Sequence, residues 1–250
     1  MNDRHEEEIL NLRKEIYENY GRDFQDAELF DIKMAERWGK GYIWYLRNWL
    51  PDKKDASIAD LGCGCGKLLY LLKELGYDNL NGVDISNDQI VLARKICQNV
   101  EQADVLNWLS HKSCEFDLLV ALDLLEHLTR LEALDFISMC FSRLKKGGRL
   151  ILQTPNADSP FGMGNRYGDL THEFAYSINL LSRILRRAGF TVIEARELGP
   201  MPFGYSFRST LRYFAWMTIR KGLQLINLAE TGSRMKILTR VFIISGIKNI

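Results

Sequence analysis

The sequence of 250 residues lacks several features that mark particular classes of protein. It has no run of about 18 consecutive apolar residues, so we expect no membrane span. The first residues, MNDRHEEEIL, lack the basic region and apolar core of a signal peptide. Its 33 lysines and arginines against 32 acidic residues give no bulk attraction to nucleic acid. We therefore expect a cytoplasmic protein that does not act on nucleic acid.

The five cysteines lack the spacing of a disulfide framework or a zinc site. Cys63 and Cys65 are separated by one residue, whereas zinc knuckles use paired Cys-x-x-Cys segments. The composition, 46% hydrophobic and 26% charged, is that of an ordinary globular protein. Reduced thiols in an intracellular protein are the simplest interpretation.

Short apolar runs alternate with helical patterns along most of the chain. Runs such as SIADL, LNGVDI and FDLLVAL precede segments such as GKLLYLLKELG and NDQIVLARKICQ. This alternation indicates an α/β fold, with parallel strands in a sheet covered by helices on both faces. We expect an N-terminal helical cap over residues 1–52 and a core over 53–250. A helical insertion over 201–236 precedes the last strand.

A glycine-rich turn, ADLGCGCGK, lies between the first predicted strand and the helix after it. Gly62, Gly64 and Gly66 allow a ligand to approach the backbone and the start of the helix. Their spacing is not the Gly-x-Gly-x-x-Gly of dinucleotide sites. Asp60 would repel a pyrophosphate but attract an ammonium group. S-adenosylmethionine, a nucleoside joined to an amino acid, fits this combination better than NAD does.

Two further acids follow predicted strands. Asp84 ends the second strand and can accept hydrogen bonds from both ribose hydroxyls. The alternative is that Asp84 caps the next helix, although Ser86 or Asn87 could do so instead. Asp104 follows a short strand and could accept from the adenine amino group, with Val105 against the ring; its alternative is a solvated loop acid.

The motifs IADLGCGCGK, GVDIS, ADVL, FDLLVALDLLEHL and LKKGGRLILQTPN occur in the order found in class I S-adenosylmethionine-dependent methyltransferases. The resemblance covers roughly residues 56–200 and the final strand, and is nearest to the ubiquinone-pathway O-methyltransferases. It implies a Rossmann-like, seven-stranded sheet whose last strand is antiparallel. By position, the resemblance places Gly62, Cys63 and Gly64 along the methionine part of the cofactor, and Asp84 and Ile85 at its ribose. It places Asp104 and Val105 at the adenine, and Leu122 and Asp123 near the sulfonium.

Two histidines are candidate general bases on the acceptor side, because histidine has an ordinary pKa close to neutral. His127 lies in LDLLEHL, and His172 lies in the long loop after the fifth strand, between Asp169 and Glu173. The alternatives are that His127 braces a helix and His172 fastens the loop. Asp123, Glu126 and His127 also resemble a Glu-x-x-Glu-His pattern that binds a divalent ion in some relatives. Because aspartate replaces the first glutamate, we predict no metal.

The predicted insertion is rich in basic residues, with Arg208 and Arg212 near its start and Glu230 as its acid. It indicates an anionic small-molecule acceptor, a peripheral membrane contact, or a solvated face with a homodimer interface. The segment AETGS followed by ILTRVFI is similar to the tail of methyltransferases from surface-polysaccharide pathways. This similarity favours O-methylation of a sugar, sugar phosphate or nucleotide sugar. A quinone precursor as acceptor and a non-catalytic S-adenosylmethionine-binding module are the alternatives.

Overall fold

The computed structural model describes Ile16, residues 30–201, Phe203 and residues 205–249. Most of the N-terminal segment that we predicted as helical before residue 30 lies outside the described residues. Within the described part of the predicted cap, Asp31 accepts a hydrogen bond from the amide of Met34 and so begins helix α1 (Ile32–Leu46).

A seven-stranded sheet forms the centre of the molecule, in the order β3-β2-β1-β4-β5-β7-β6. Neighbouring strands pair in parallel from β3 to β5, while β7 is antiparallel to β5 and β6. The predicted fold and the antiparallel last strand are thereby confirmed. The strands are β1 (Ile58–Leu61), β2 (Leu80–Asp84), β3 (Val100–Gln102), β4 (Phe116–Leu122), β5 (Leu144–Pro155), β6 (Thr191–Glu197) and β7 (Val241–Ile247).

Helices connect the strands and cover both faces of the sheet. Along β1, Ala59 and Leu61 belong to one buried apolar cluster and Ile58 to another, as expected for a strand with helices on both faces. A single 3-10 turn, Leu125–His127, follows β4. The described helices after α1 are α2 (Lys67–Glu74), α3 (Asn87–Ala93), α4 (Val105–His111), α5 (Arg130–Arg143), α6 (Met163–Tyr167), α7 (Ile178–Arg187) and α8 (Phe207–Thr231).

Helix α8 occupies the predicted insertion between β6 and β7. Its side chains Phe207, Leu211 and Phe214, which we predicted on one face, are 78%, 53% and 53% exposed. The apolar face of α8 therefore lies on the surface of the described chain. A membrane contact or homodimer through this segment stays a prediction. No helix in the described residues is long and apolar enough to cross a membrane.

The parallel strands β1, β2 and β4 all end at one edge of the sheet, where open α/β sheets bind ligands. Gly82 in β2 is packed so closely that an added Cβ would lie 2.9 Å from Leu69 and 3.1 Å from Cys63 Sγ. The absence of a side chain at this position lets α2 and the glycine turn pack against the sheet. The glycine turn is therefore held against the sheet by this packing at Gly82.

Candidate functional site

A cavity of about 420 Å³ opens at this edge, within the range of small-molecule sites. It is lined by every residue that we predicted to contact the cofactor and also by His127. The predicted residues in its wall are Asp60, Gly62, Cys63, Gly64, Asp84, Ile85, Asp104, Val105, Leu122 and Asp123.

The glycine turn is shaped by backbone conformations that other residues rarely adopt. Gly62, Gly64 and Gly66 have φ of 75°, 50° and 88°, in the region that favours glycine. The amides of Gly62 and Cys63 both donate to the carbonyl of Val83, at 2.8 and 3.0 Å. The turn is thus fixed to β2 while its opposite side faces the cavity.

Asp84 joins the glycine turn after β1 to the segment that follows β2. One carboxylate oxygen accepts from the amide of Gly64 at 2.8 Å, and the other accepts from the amide of Ser86 at 2.9 Å. A carboxylate offers about four lone-pair positions, so each oxygen retains capacity for a ligand hydroxyl. Asp84 therefore shapes the wall of the cavity as well as presenting acceptors to it.

Asp60 is 2% exposed at the end of β1. Burial, and secondarily the charge of Asp84, raises the pKa of its carboxyl from 3.8 to about 8. A cation placed in the cavity would favour the charged form and lower that pKa again. The chemistry of the site therefore fits an ammonium group beside Asp60.

Asp104 has a structural role that the sequence analysis did not assign. Its side chain accepts from the amide of Asn107 at 2.9 Å and begins helix α4. It also lines the cavity, next to the buried Val105. The same position therefore serves the helix and the cavity wall.

The sequence analysis missed polar groups contributed by α3 and the residue before it. The amide of Gln89 and the hydroxyl of Ser86 are buried, line the cavity and have no hydrogen-bond partner among the described residues. Buried polar groups are almost always paired in folded proteins. Both side chains are therefore available to the polar groups of a bound ligand.

Helix α1 reaches the site through Trp38 and Tyr42, whose rings stack with centroids 3.7 Å apart. The Tyr42 hydroxyl donates to the side-chain oxygen of Gln153, and Gln153 Nε2 donates to Asp123 Oδ2 at 2.6 Å. Asp123 has φ of 53°, a conformation that a non-glycine residue adopts at some energetic cost. These hydrogen bonds hold the Asp123 carboxylate at the end of β4, beside the cavity.

His127 lies in the 3-10 turn after β4 and is held by the loop after β5. Its Nδ1 lies 2.8 Å from Thr171 Oγ1, and the Thr171 hydroxyl donates to Asp169 at 2.6 Å. Because Thr171 uses its proton on Asp169, it accepts from His127, which places a proton on Nδ1. In the neutral ring, Nε2 then carries the lone pair.

His172 is held at Nδ1 by a backbone group. Its Nδ1 donates to the carbonyl of Asn165 at 2.7 Å, so Nε2 carries the lone pair of the neutral ring. The neighbouring Asp169 accepts from the Thr171 hydroxyl, which contacts His127. Tyr167, in the same loop, is 67% exposed.

The loop is fastened to the 3-10 turn. The amides of Glu173 and Phe174 donate to the carbonyl of Glu126 at 2.8 and 3.3 Å. The rings of His127 and His172 consequently meet at 4.8 Å between centroids, although they are far apart in sequence.

Glu126 lies beside the two histidines and is 1% exposed. Burial, and secondarily the charge of Asp123, raises the pKa of its carboxyl well above its ordinary value. One potential ligand atom each from Glu126, His127 and His172 lies within 4.8 Å of the others. These three residues could hold a divalent ion, a set that differs from the Asp123, Glu126 and His127 of the sequence pattern.

Comparison with known proteins identifies the family. A family model described as a methyltransferase domain matches residues 31–195. The chain is 28% identical over 182 residues to the tRNA U34 carboxymethyltransferase of Helicobacter acinonychis, covering 67% of this chain and 68% of that protein. It is 35% identical over 133 residues to the ribosomal protein L11 methyltransferase of Burkholderia vietnamiensis, covering 49% of this chain. It spans only 41% of that methyltransferase, and 44% of the uncharacterized protein MJ0638 of Methanocaldococcus jannaschii.

Solved structures share the fold over nearly the whole chain. A methyltransferase from Archaeoglobus fulgidus superposes with a TM-score of 0.62 at 22% identity, covering 92% of this chain and 98% of that one. Magnesium protoporphyrin IX methyltransferase from Synechocystis, with S-adenosylhomocysteine bound, gives 0.59 at 17% identity, covering 95% and 98%. At these identities the similarity shows the fold, while the family model covers most of the chain. The chain therefore belongs to the class I S-adenosylmethionine-dependent methyltransferases.

Proposed function

We propose that the protein methylates an oxygen atom of a small-molecule acceptor. The observation that carries this proposal is the pair His127 and His172, which lies at the edge of the cofactor cavity and has its Nδ1 atoms occupied. When bound, S-adenosylmethionine would supply a methyl group attached to a positively charged sulfur. The bond from the acceptor oxygen to the methyl carbon forms as the carbon–sulfur bond breaks, which leaves S-adenosylhomocysteine. The protein must align the acceptor and remove its proton.

The cavity residues have separate proposed tasks. Asp60 faces the ammonium group of the cofactor, and the glycine turn with Cys63 lies along its methionine part. Asp84 accepts from the ribose hydroxyls, with Ile85 beside them, and Asp104 and Val105 contact the adenine. Gln89 is added to these predictions because its buried amide has no hydrogen-bond partner among the residues that the structure describes. Leu122 and Asp123 lie near the sulfonium.

The two histidines act on the acceptor in this proposal. His172 takes the proton of the acceptor hydroxyl at Nε2, while Asn165 fixes the ring from the other side. His127 lines the cofactor cavity and positions His172 through the contact between their rings. Helix α1, the described part of the predicted cap over residues 1–52, covers the site with Trp38 and Tyr42. This cover would limit the access of water.

A sugar, sugar phosphate or nucleotide sugar of a surface polysaccharide is the acceptor that we propose, because of the similarity of the tail. Some relatives are named for other acceptors, a tRNA and a ribosomal protein. The near-zero charge balance of this chain gives no bulk attraction to RNA. A quinone precursor is the remaining small-molecule alternative.

Turnover assays with a panel of acceptors test the proposal. S-adenosylhomocysteine should appear with hydroxylated small molecules and should be absent with tRNA or ribosomal protein. Binding of S-adenosylmethionine without turnover on any acceptor would favour a non-catalytic binding module. Turnover on tRNA or protein would contradict the small-molecule proposal directly.

A further inference from the structure

A second cavity, of about 740 Å³, lies beside the cofactor cavity. It is formed by α1, the loop after β5, the segment after β6, α8 and the segment before β7. Its lining residues include Arg37, Trp38, Tyr42, Asn165, Arg212 and Trp216. Its volume falls within the range of small-molecule sites.

The two cavities share the stacked side chains of Trp38 and Tyr42. The second cavity is also lined by Asn165, the residue whose carbonyl holds His172. The histidine pair therefore lies close to both cavities, since His127 lines the first. A molecule in the second cavity would therefore reach the histidines by extending past the shared side chains of Trp38 and Tyr42.

The charges around the second cavity are of one sign. Arg37, Arg212 and Arg240 line it, and no aspartate or glutamate is found among its described lining residues. None of these arginines forms an ion pair with another residue that the structure describes. Arg220 of the same helix α8 differs, since it lies 3.3 Å from Glu197. Arginine forms strong, directional hydrogen bonds with phosphate and carboxylate groups.

Aromatic side chains form part of the remaining wall. Tyr45, Phe161, Tyr205 and Trp216 line the cavity together with the stacked pair. The indole Nε1 of Trp216 is buried and has no hydrogen-bond partner among the described residues. Flat aromatic faces accommodate a planar or sugar ring, and the unpartnered indole can donate to a polar substituent on it.

We infer that this second cavity binds the methyl acceptor, and that the acceptor carries a phosphate or carboxylate group on a ring-containing body. The anionic group meets Arg37, Arg212 and Arg240, while the ring lies against the aromatic wall. This inference rests on the proposed function, because it names the class of acceptor for the same reaction. It also replaces Arg208 as a candidate, since Arg208 lies on α8 outside the cavity lining.

The test measures binding of simple probes to the whole protein, using calorimetry with tryptophan fluorescence as a second readout. The probes are inorganic phosphate, glucose, glucose 1-phosphate and 3,4-dihydroxybenzoate. We expect glucose 1-phosphate to bind more tightly than phosphate or glucose, and binding to weaken as salt is added. Arg212→Gln should weaken it by about tenfold or more, the effect of losing one charged hydrogen bond.

Arg208→Gln is the matched control, four residues earlier on the same helix, and it should leave probe binding unchanged. Arg37→Gln, on helix α1, is a second variant that guards against misfolding of Arg212→Gln. It should weaken probe binding to a similar extent. Tighter binding of 3,4-dihydroxybenzoate than of glucose 1-phosphate would keep the anion site and assign it to an aromatic acid.

Three outcomes would overturn the inference: no binding of either anionic ring compound, equal binding of glucose and glucose 1-phosphate, or an equal loss in Arg208→Gln. Titration with S-adenosylmethionine separates this failure from failure of the proposed function. Cofactor binding without anion binding removes the second site only. Anion binding without cofactor binding removes the proposed function and leaves the site.

Discussion

The rings of His127 and His172 meet at an interplanar angle of 67°, with 4.8 Å between their centroids. Each ring has its Nδ1 in a hydrogen bond, His127 with Thr171 and His172 with the carbonyl of Asn165. Because the carbonyl of Asn165 occupies Nδ1 of His172, Nε2 is the nitrogen of that ring that remains for chemistry at the acceptor. Loss of the His172 ring should therefore affect the reaction differently from loss of a residue that lines the cofactor cavity.

Replacement of His172 by alanine should lower turnover by about 10²–10⁴-fold, the usual contribution of positioned proton transfer. The affinity for S-adenosylmethionine should change little, because His172 is not among the lining residues of the cofactor cavity. Steady-state kinetics and calorimetry measure the two effects. His111→Ala, at the exposed end of α4, is the control. Normal turnover of His172→Ala would shift the base assignment to His127 or to a mechanism without a protein base.

Replacement of Asp84 by alanine should weaken cofactor binding strongly. Each lost hydrogen bond to a charged group contributes about 1.5–3 kcal/mol, and the variant also frees the amides of Gly64 and Ser86. Asp88→Ala, an exposed acid in the first turn of α3, should bind normally. Calorimetry on protein with an unchanged circular dichroism spectrum decides the matter. Unaltered affinity in folded Asp84→Ala would remove Asp84 from the cofactor site.

Replacement of Asp60 by asparagine should stabilise the ligand-free protein while abolishing its thermal stabilisation by S-adenosylmethionine. The folded pKa of Asp60 is about 8 against an ordinary value of 3.8, so the folded state binds the proton more tightly. The wild type therefore loses stability as pH rises from 3.8 to about 8, whereas asparagine does not titrate. The Tm advantage of the variant should grow across that range and then level off. A constant advantage at all pH values would contradict the raised pKa.

Gln153 should matter for stability because it is buried and connects the buried Tyr42 hydroxyl to Asp123. Gln153→Ala removes the acceptor of the Tyr42 hydroxyl and the donor to Asp123. Leaving a buried polar group unpaired costs about 1–3 kcal/mol, and each kcal/mol lowers Tm by about 2–4 °C in a chain of this size. Gln102→Ala, at an exposed position of β3, is the control. Equal melting temperatures for the two variants would show that the connection contributes nothing to stability.

Turnover should persist in excess EDTA, since we propose that the histidines act on the acceptor without a metal. The cluster of Glu126, His127 and His172 makes this a demanding test. Loss of activity that magnesium or manganese restores would assign the three residues to a divalent ion. Manganese binding detected by electron paramagnetic resonance, and lost in Glu126→Gln, would confirm that assignment independently of activity.

Part of the site was predictable because its chemistry depends on short local patterns. A backbone that a ligand approaches closely requires glycine, and the turn lies directly between a strand and a helix. Asp60, Asp84 and Asp104 lie in the last residues of strands or just after them, so their place at one edge of the sheet follows from the parallel topology. These residues could therefore be located from the sequence.

Other parts depend on packing between distant elements and left no local signal. Tyr42 and Gln153 are 111 positions apart, and neither indicates the other in the sequence. The orientation of His172 by the carbonyl of Asn165 could not be predicted, because every residue has a carbonyl. The apolar residues of α8 have the helical spacing of a buried face, yet the structure exposes them. Their exposure depends on the position of α8 relative to the rest of the chain, which the local sequence does not indicate.

In our proposal, the residues that bind the cofactor and those that bind the acceptor lie largely in different parts of the chain. The cofactor cavity takes its lining from residues between Trp38 and Glu132, whereas much of the second cavity comes from residues between Leu198 and Val241. The family model ends at residue 195, before all of that second set. A chimera that exchanges the segment after β6 with a relative should change acceptor choice and keep the affinity for S-adenosylmethionine.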